Sequence, residues 1–64
     1  MKPKDRNNIL INIGDRVKWY DPDVQYRDLT RIYEVFAISG DNVIYIADDF
    51  SEVEVFSNEL EIIK

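Results

Sequence analysis

Cysteine and histidine are both missing from this 64-residue chain. Their absence excludes disulfides, thiol nucleophiles, zinc sites built from Cys and His, and catalysis by an imidazole base. A chain of this length also offers no deep pocket for a pair of catalytic carboxylates. We therefore expect no enzymatic activity, no cofactor and no bound metal ion.

Long apolar runs are missing as well, so no segment has the length of a membrane span. Residues 1–8 carry charge, Pro and Asn without the apolar stretch of a secretory signal. The sequence therefore predicts a protein that does not enter the membrane and resides in the cytoplasm.

Positive charge is scarce in the second half of the chain. Residues 32–64 hold one Lys against eight Asp and Glu, whereas residues 1–31 hold seven Lys and Arg against five acids, and the net charge is −5. Nucleic-acid affinity depends on clustered Lys and Arg that neutralise phosphates. This balance of charge therefore disfavours binding to nucleic acid.

The apolar content is sufficient for one small core. Apolar residues make up 45% of the chain and charged residues 33%, which indicates a globular rather than a disordered protein. Its 64 residues lie near the lower limit at which a domain folds alone. Because residues 1–8 show no apolar periodicity, we predict a flexible segment there and a single domain over residues 9–64.

Alternation of apolar and polar side chains predicts several short strands in this domain. It is clearest over residues 16–20 and 52–55, while residues 31–39 and 43–47 are rich in β-branched and aromatic side chains and flank a Gly-Asp-Asn turn. No single phase buries every apolar side chain of residues 31–39, which predicts a bulge near Phe36 and Ala37. The side chains predicted for the core are Val17, Trp19, Tyr33, Val35, Ile38, Ile44, Ile46, Val53, Val55, Leu60 and Ile62.

The two ends of the domain are less regular. Ile9, Ile11 and Ile13 alternate with other residues, which favours a short strand or an extended lead-in. Near the C-terminus, Ser57 is placed to cap one helical turn, after which residues 61–64 form a last short strand.

Five short strands, a long first loop, a tight central hairpin and one helical turn before the last strand resemble the Src-homology-3-like small barrel. Residues 14–17 resemble the Gly-Asp-x-Val opening of such barrels, including the KOW type, and residues 55–62 resemble their closing strand-turn-strand. Residues 14–23 and 51–55 also look like short bacterial proteins of unknown function. The resemblance implies an all-β barrel of about five antiparallel strands with a 3-10 turn before the last strand, and this barrel serves many functions.

The loop after the first predicted strand is the candidate binding site. Residues 21–30 are mostly loop formers, and the alternation turns Trp19 toward the core while Tyr20 and Tyr26 are the exposed aromatics. The aspartates of this loop would attract a basic partner, and their spacing is not that of a calcium-binding loop. The prediction is a non-catalytic interaction module that binds another protein through Tyr20, Asp21, Asp23, Tyr26, Arg16 and Lys18.

Two alternatives stay open for the function. Arg16 and Lys18 alternate outward, as do the basic residues through which KOW-type barrels meet RNA. The second alternative is a DNA mimic whose carboxylates imitate phosphates, namely Glu52, Glu54, Glu59 and Glu61. Exposed Phe side chains and strand edges also leave a choice between a monomer and a weak homodimer.

Overall fold

A computed structural model of the chain describes residues 2–22 and 31–63. A 3-10 turn over Ser57–Glu59 precedes the last strand. Within the two described ranges, no helix is long and apolar enough to cross a membrane. The predicted all-β class, with five antiparallel strands and this turn before the last one, is confirmed. The strands are β1 (Arg16–Trp19), β2 (Tyr33–Ser39), β3 (Val43–Ala47), β4 (Glu52–Phe56) and β5 (Leu60–Ile62).

The five strands form one sheet in the order β4-β3-β2-β1-β5. Strands β2, β3 and β4 follow one another as antiparallel neighbours, and Gly40 enters the β2–β3 turn with a left-handed φ of 68° that suits glycine. The last strand pairs with the first, so that Trp19 lies opposite Leu60. β4 and β5 are therefore the edge strands of this sheet.

The bulge predicted in β2 is confirmed. The register between β2 and β3 shifts between Val35 and Ala37. Because one residue is inserted there, Val35 is fully buried and Ile38 also packs against the core, whereas Phe36 is 45% exposed.

The core contains every residue that the sequence predicts for it, some fully and some partly buried. Ile11 is a further member, at 2% exposure, although it lies before the first strand. The partly buried members are Trp19, Ile38, Val53 and Ile62. The buried members are Ile11, Val17, Tyr33, Val35, Ile44, Ile46, Val55 and Leu60.

The N-terminal segment folds back on itself beside β5. Lys4 pairs with Leu10 in an isolated bridge, and the Ile11 N–H donates to the Pro3 carbonyl at 3.0 Å. Pro3 and Asp5 are buried. The segment that the sequence predicts to be flexible thus has contacts with the domain, while its mobility in solution stays a prediction.

The cap of the 3-10 turn is not the one that the sequence predicts. Ser57 makes no capping hydrogen bond with its side chain; it is the first residue of the turn and is 7% exposed. The carboxylate of Glu59 accepts the Phe56 N–H at 2.7 Å instead. The prediction of Ser57 as the cap was therefore wrong, because the glutamate that follows reaches back to the start of the turn.

Candidate binding cleft between β1 and β4

A cleft of about 640 Å³ lies between the end of β1 and the edge strand β4. Trp19, Asp21 and Pro22 line it from one side and residues 53–56 from the other, with Val43 of β3 and Glu59 of the 3-10 turn as further wall residues. We call this space the β1–β4 cleft. Its volume lies within the range of roughly 300–1,000 Å³ that is common for ligand sites.

The cleft extends around the edge of β4 and also reaches Val43 of β3, which pairs with Phe56. Residues 53–56, which line it, are consecutive. Successive side chains of a strand point to opposite faces of the sheet, so only a surface along the edge touches all four. Val55 is 5% exposed and Phe56 56% exposed, which agrees with their positions on opposite faces.

The pairing of β3 with β4 determines which backbone groups of β4 point to this edge. Just beyond the strand, the Ser57 N–H donates to the Asn42 carbonyl at 2.8 Å. Hydrogen-bonded and non-hydrogen-bonded pairs alternate along an antiparallel ladder. Ser57 and Asn42 form a hydrogen-bonded pair, so the next pair, Phe56 with Val43, is not hydrogen-bonded. The same holds two residues further along, for Glu54 with Tyr45. The N–H and C=O groups of both residues therefore point away from β3.

Two further contacts agree with this alternation of inward and outward backbone groups in β4. At the other end of the hairpin, the Asp48 N–H donates to the Ser51 carbonyl at 2.9 Å, which again places the outward backbone groups at every second residue including Glu54. The outward N–H of Phe56 is the one that the Glu59 carboxylate accepts. No described residue outside β4 forms a backbone hydrogen bond with Glu54 along this edge.

Trp19 lines the cleft, but its indole N–H is buried. Its indole Nε1 is buried and has no acceptor among the described residues. The ring packs edge-on against Tyr33, with 6.0 Å between the centroids and an interplanar angle of 86°. Buried indole N–H groups usually have a partner, and an unsatisfied buried donor costs about 1–3 kcal/mol.

The charged side chains that line the cleft are acidic throughout its described wall: Asp21, Glu54 and Glu59. The Glu54 carboxylate accepts a hydrogen bond from the Tyr45 hydroxyl at 2.8 Å. This hydrogen bond, together with the negative charge of Glu54, raises the pKa of Tyr45. Electrostatic complementarity to such a wall favours a basic ligand.

Tyr20, which the sequence predicts as an exposed aromatic residue of the binding site, has partners inside the molecule. Its hydroxyl donates to Glu61 at 2.8 Å, and the Arg6 guanidinium lies 3.9 Å above its ring centroid. Its N–H donates to the Glu59 carbonyl at 2.8 Å. Tyr20 thus joins the N-terminal segment to β1 and β5, while its contact with a partner protein stays a prediction.

The other predicted site residues are spread over different parts of the chain. Asp21 lines the β1–β4 cleft. Arg16 is exposed and Lys18 half-buried, and each lies opposite a glutamate in the neighbouring strand, so neither belongs to the cleft. Asp23 and Tyr26 lie outside the described residues.

The aspartate pair Asp48 and Asp49 lies in the turn between β3 and β4. The Asp48 carboxylate accepts the N–H groups of Phe50 and Ser51, both at 2.9 Å, and forms an ion pair with Arg31. Partial burial raises the pKa of Asp48, but the hydrogen bonds from Phe50, Arg31 and Ser51 outweigh it and hold that pKa below its usual value. In the part of the chain that the structure describes, no group of three or more acidic side chains is placed to hold a metal ion.

The sequence does not reveal β4 as one wall of a cleft, because strand order determines which strands lie at an edge. One signal points to it. Glutamates at every second position of β4 are typical of edge strands, which carry charge to prevent unwanted pairing. The buried Nε1 of Trp19 has no sequence signal, since it depends on the packing around the ring.

Comparison with known proteins found no matching family model, no matching curated protein and no matching solved structure. The case for a function therefore rests on the geometry and charge of the cleft.

Proposed function

We propose that this chain is a small, non-catalytic protein-binding domain whose binding site is the β1–β4 cleft. The observation that carries the proposal is the coincidence of two features in one cleft: an acidic lining, and a strand edge at which no described residue pairs with the outward backbone groups of Glu54. A polypeptide can supply both the backbone hydrogen bonds and the positive charge. The cleft also begins where the loop after β1, the segment that the sequence predicts to bind a partner, leaves the sheet.

The framework that we propose for this domain is a Src-homology-3-like barrel. The strand order β4-β3-β2-β1-β5 supports it, and so does the 3-10 turn between β4 and β5. This framework is used for many functions, so it specifies no activity by itself. The function depends on the cleft.

The partner that we propose is a basic segment of another protein. Asp21 and Glu54 contribute negative charge from opposite walls of the cleft, and residues 32–64 carry a strong excess of acids. Charges in contact across an interface accelerate association and are screened by salt, with a Debye length of about 8 Å at physiological ionic strength. Binding should therefore weaken as the salt concentration rises.

A chemical-shift titration tests this function. The probes are a hexapeptide that alternates lysine and valine and a second hexapeptide that alternates glutamate and valine. The basic peptide should shift the Trp19 indole N–H and the amides of residues 53–56, and the shifts should diminish with added salt. Absence of any shift along the cleft, or equal shifts with both peptides, would contradict the proposal.

Matched charge variants show whether the cleft itself is used. The double variant Asp21→Asn/Glu54→Gln removes two charges from the cleft, while Glu34→Gln/Asp49→Asn removes two from exposed residues outside it. Both variants change the net charge equally. The first should bind the basic peptide severalfold more weakly than the second, and equal losses would mean that only net charge matters.

A further inference from the structure

We infer that the bound segment adds to the sheet as a sixth strand along β4. This inference rests on the proposed function and specifies how the partner is held. Strand addition supplies main-chain hydrogen bonds at an exposed edge, while side-chain pockets at every second position provide selectivity. Each of these two components has a counterpart in the β1–β4 cleft.

The two edges of the sheet differ in how well their backbone groups are covered. At β5, the Arg6 N–H donates to the Leu60 carbonyl and the Ile62 N–H donates to the Asp5 carboxylate, both at 2.9 Å. At β4, the outward backbone groups of Glu54 have no such cover from any described residue. An incoming strand therefore has its hydrogen-bonding partners at β4.

The cleft also provides the far side of the added strand. Neighbouring strands lie about 4.8 Å apart, so a segment hydrogen-bonded to β4 lies between that strand and the wall that contains Trp19 and Pro22. A segment in this position also lies beside the acidic side chains Asp21 and Glu54.

The faces of β4 specify the sequence of the partner. Val53 and Val55 pack toward the core side, whereas Glu52 and Glu54 are exposed on the other face. Side chains of an added strand alternate in the same way and lie beside those of β4. The segment should therefore alternate apolar residues with Lys or Arg. Glutamates on β4 repel acidic strands at the same edge, including a second copy of this strand.

Hydrogen exchange on the unmodified protein tests the inference directly. With the hexapeptide that alternates lysine and valine, the Glu54 amide should exchange more slowly, while the Val55 amide, which β3 already pairs, should change little. A control hexapeptide with three valines followed by three lysines has the same composition and charge. It should bind more weakly, because it cannot place apolar and basic side chains on opposite faces.

Two substitutions at one position separate the backbone from the side chain. Glu54→Ala and Glu54→Pro both remove the carboxylate, but only Glu54→Pro also removes the outward N–H. Proline is tolerated on an edge strand where its missing N–H faces outward. Glu54→Pro should bind the alternating peptide about tenfold more weakly than Glu54→Ala, as expected for one lost hydrogen bond. Circular dichroism checks that both variants fold. If Glu54→Pro does not fold, the exchange of the Glu54 amide in the unmodified protein tests strand addition instead.

The outcomes distinguish the two proposals. If the unmodified protein binds neither peptide, the proposed function fails together with this inference. If it binds but Glu54→Pro equals Glu54→Ala and the Glu54 amide is not protected, strand addition is wrong while protein binding stands. If protection of the Glu54 amide rises with protein concentration in the absence of peptide, a second copy occupies the edge, and the assignment of a basic partner is overturned.

Discussion

The carboxylate of Asp5 accepts the backbone N–H of Ile62 at 2.9 Å, across 57 positions of the chain. The other oxygen of the same carboxylate accepts the N–H groups of Asn7 at 2.9 Å and Ile9 at 2.8 Å. Asp5 is 4% exposed. One buried side chain thus shapes the N-terminal turn and attaches it to the edge of β5.

Replacing Asp5 should therefore destabilise the whole domain. In Asp5→Ala, three backbone N–H groups lose their acceptor, and each buried unsatisfied donor is costly. We expect the free energy of unfolding, measured by urea denaturation, to fall by about 1–3 kcal/mol. Asp49→Ala, at an exposed aspartate, should change it by less than about 0.5 kcal/mol. Equal effects of the two substitutions would show that the Asp5 contacts contribute nothing.

Ile11 and Ile13 offer a matched pair with opposite environments. Ile11 is 2% exposed within the core and Ile13 is 66% exposed. Ile→Val removes a buried methylene at Ile11 and an exposed one at Ile13. Ile11→Val should therefore lower the free energy of unfolding by about 0.5–1.5 kcal/mol. Ile13→Val should stay within about 0.5 kcal/mol of the parent protein. The midpoints of urea unfolding, compared at an equal dependence of the unfolding free energy on urea, measure both losses. A larger loss in Ile13→Val than in Ile11→Val would mean that Ile13 faces the core.

The Asp48 contacts should make stability depend on pH at the acid end. The pKa of Asp48 lies below its ordinary value of 3.8 in the folded protein. A lowered folded pKa gives a stability contribution that is fully present above the ordinary value and is lost as the pH falls through the folded pKa. Asp48→Asn should therefore be less stable than the parent at pH 6, with a difference that shrinks as the pH falls below about 3.8.

Thermal or urea unfolding from pH 7 to pH 2 measures that difference. Arg31→Gln, which removes the cation from the Asp48 ion pair, should reproduce part of the loss at neutral pH. A difference between the parent and Asp48→Asn that is independent of pH would rule out the proposed linkage.

The Tyr45 hydroxyl reports on the Glu54 carboxylate in the cleft wall. Because Glu54 accepts its hydrogen bond and adds negative charge, the pKa of Tyr45 lies above its ordinary value of 10.0. Glu54→Gln should move the Tyr45 pKa back toward that value, as followed by NMR of the ring during alkaline titration. Glu52→Gln, at an exposed residue opposite Ala47 and not opposite Tyr45, should have a smaller effect. An unchanged Tyr45 pKa in Glu54→Gln would mean that the hydrogen bond is absent in solution.

Much of the sheet follows from local patterns in the sequence. The bulge in β2 was predictable because the apolar residues on either side of Phe36 and Ala37 follow opposite phases. The β2–β3 hairpin was predictable from its Gly-Asp-Asn turn. The burial of Ile11 was only partly visible, because the alternation of Ile9, Ile11 and Ile13 does not say which of them reaches the core.

The candidate site was less accessible to the same reasoning. Exposure of Tyr20 was expected from alternation, yet it is half-buried because Arg6 and Glu61 come from distant parts of the chain. Asp21 was predicted as a binding residue of the loop after β1, and no pattern in the sequence indicates that it lines the same cleft as β4. A contact between distant segments depends on the order of the strands, and local periodicity contains no information about that order.

The sequence by itself determined the all-β class, the number of strands and most of the core residues, with Ile11 as the exception. The physical reason is that side chains alternate across a strand, so burial of one face is written into the chain at every second position. The tertiary structure alone decided that Asp5 covers β5 and that no described residue pairs with the outward backbone groups of Glu54 in β4. These features depend on hydrogen bonds and packing between residues far apart in the chain, which form only once the sheet has its strand order.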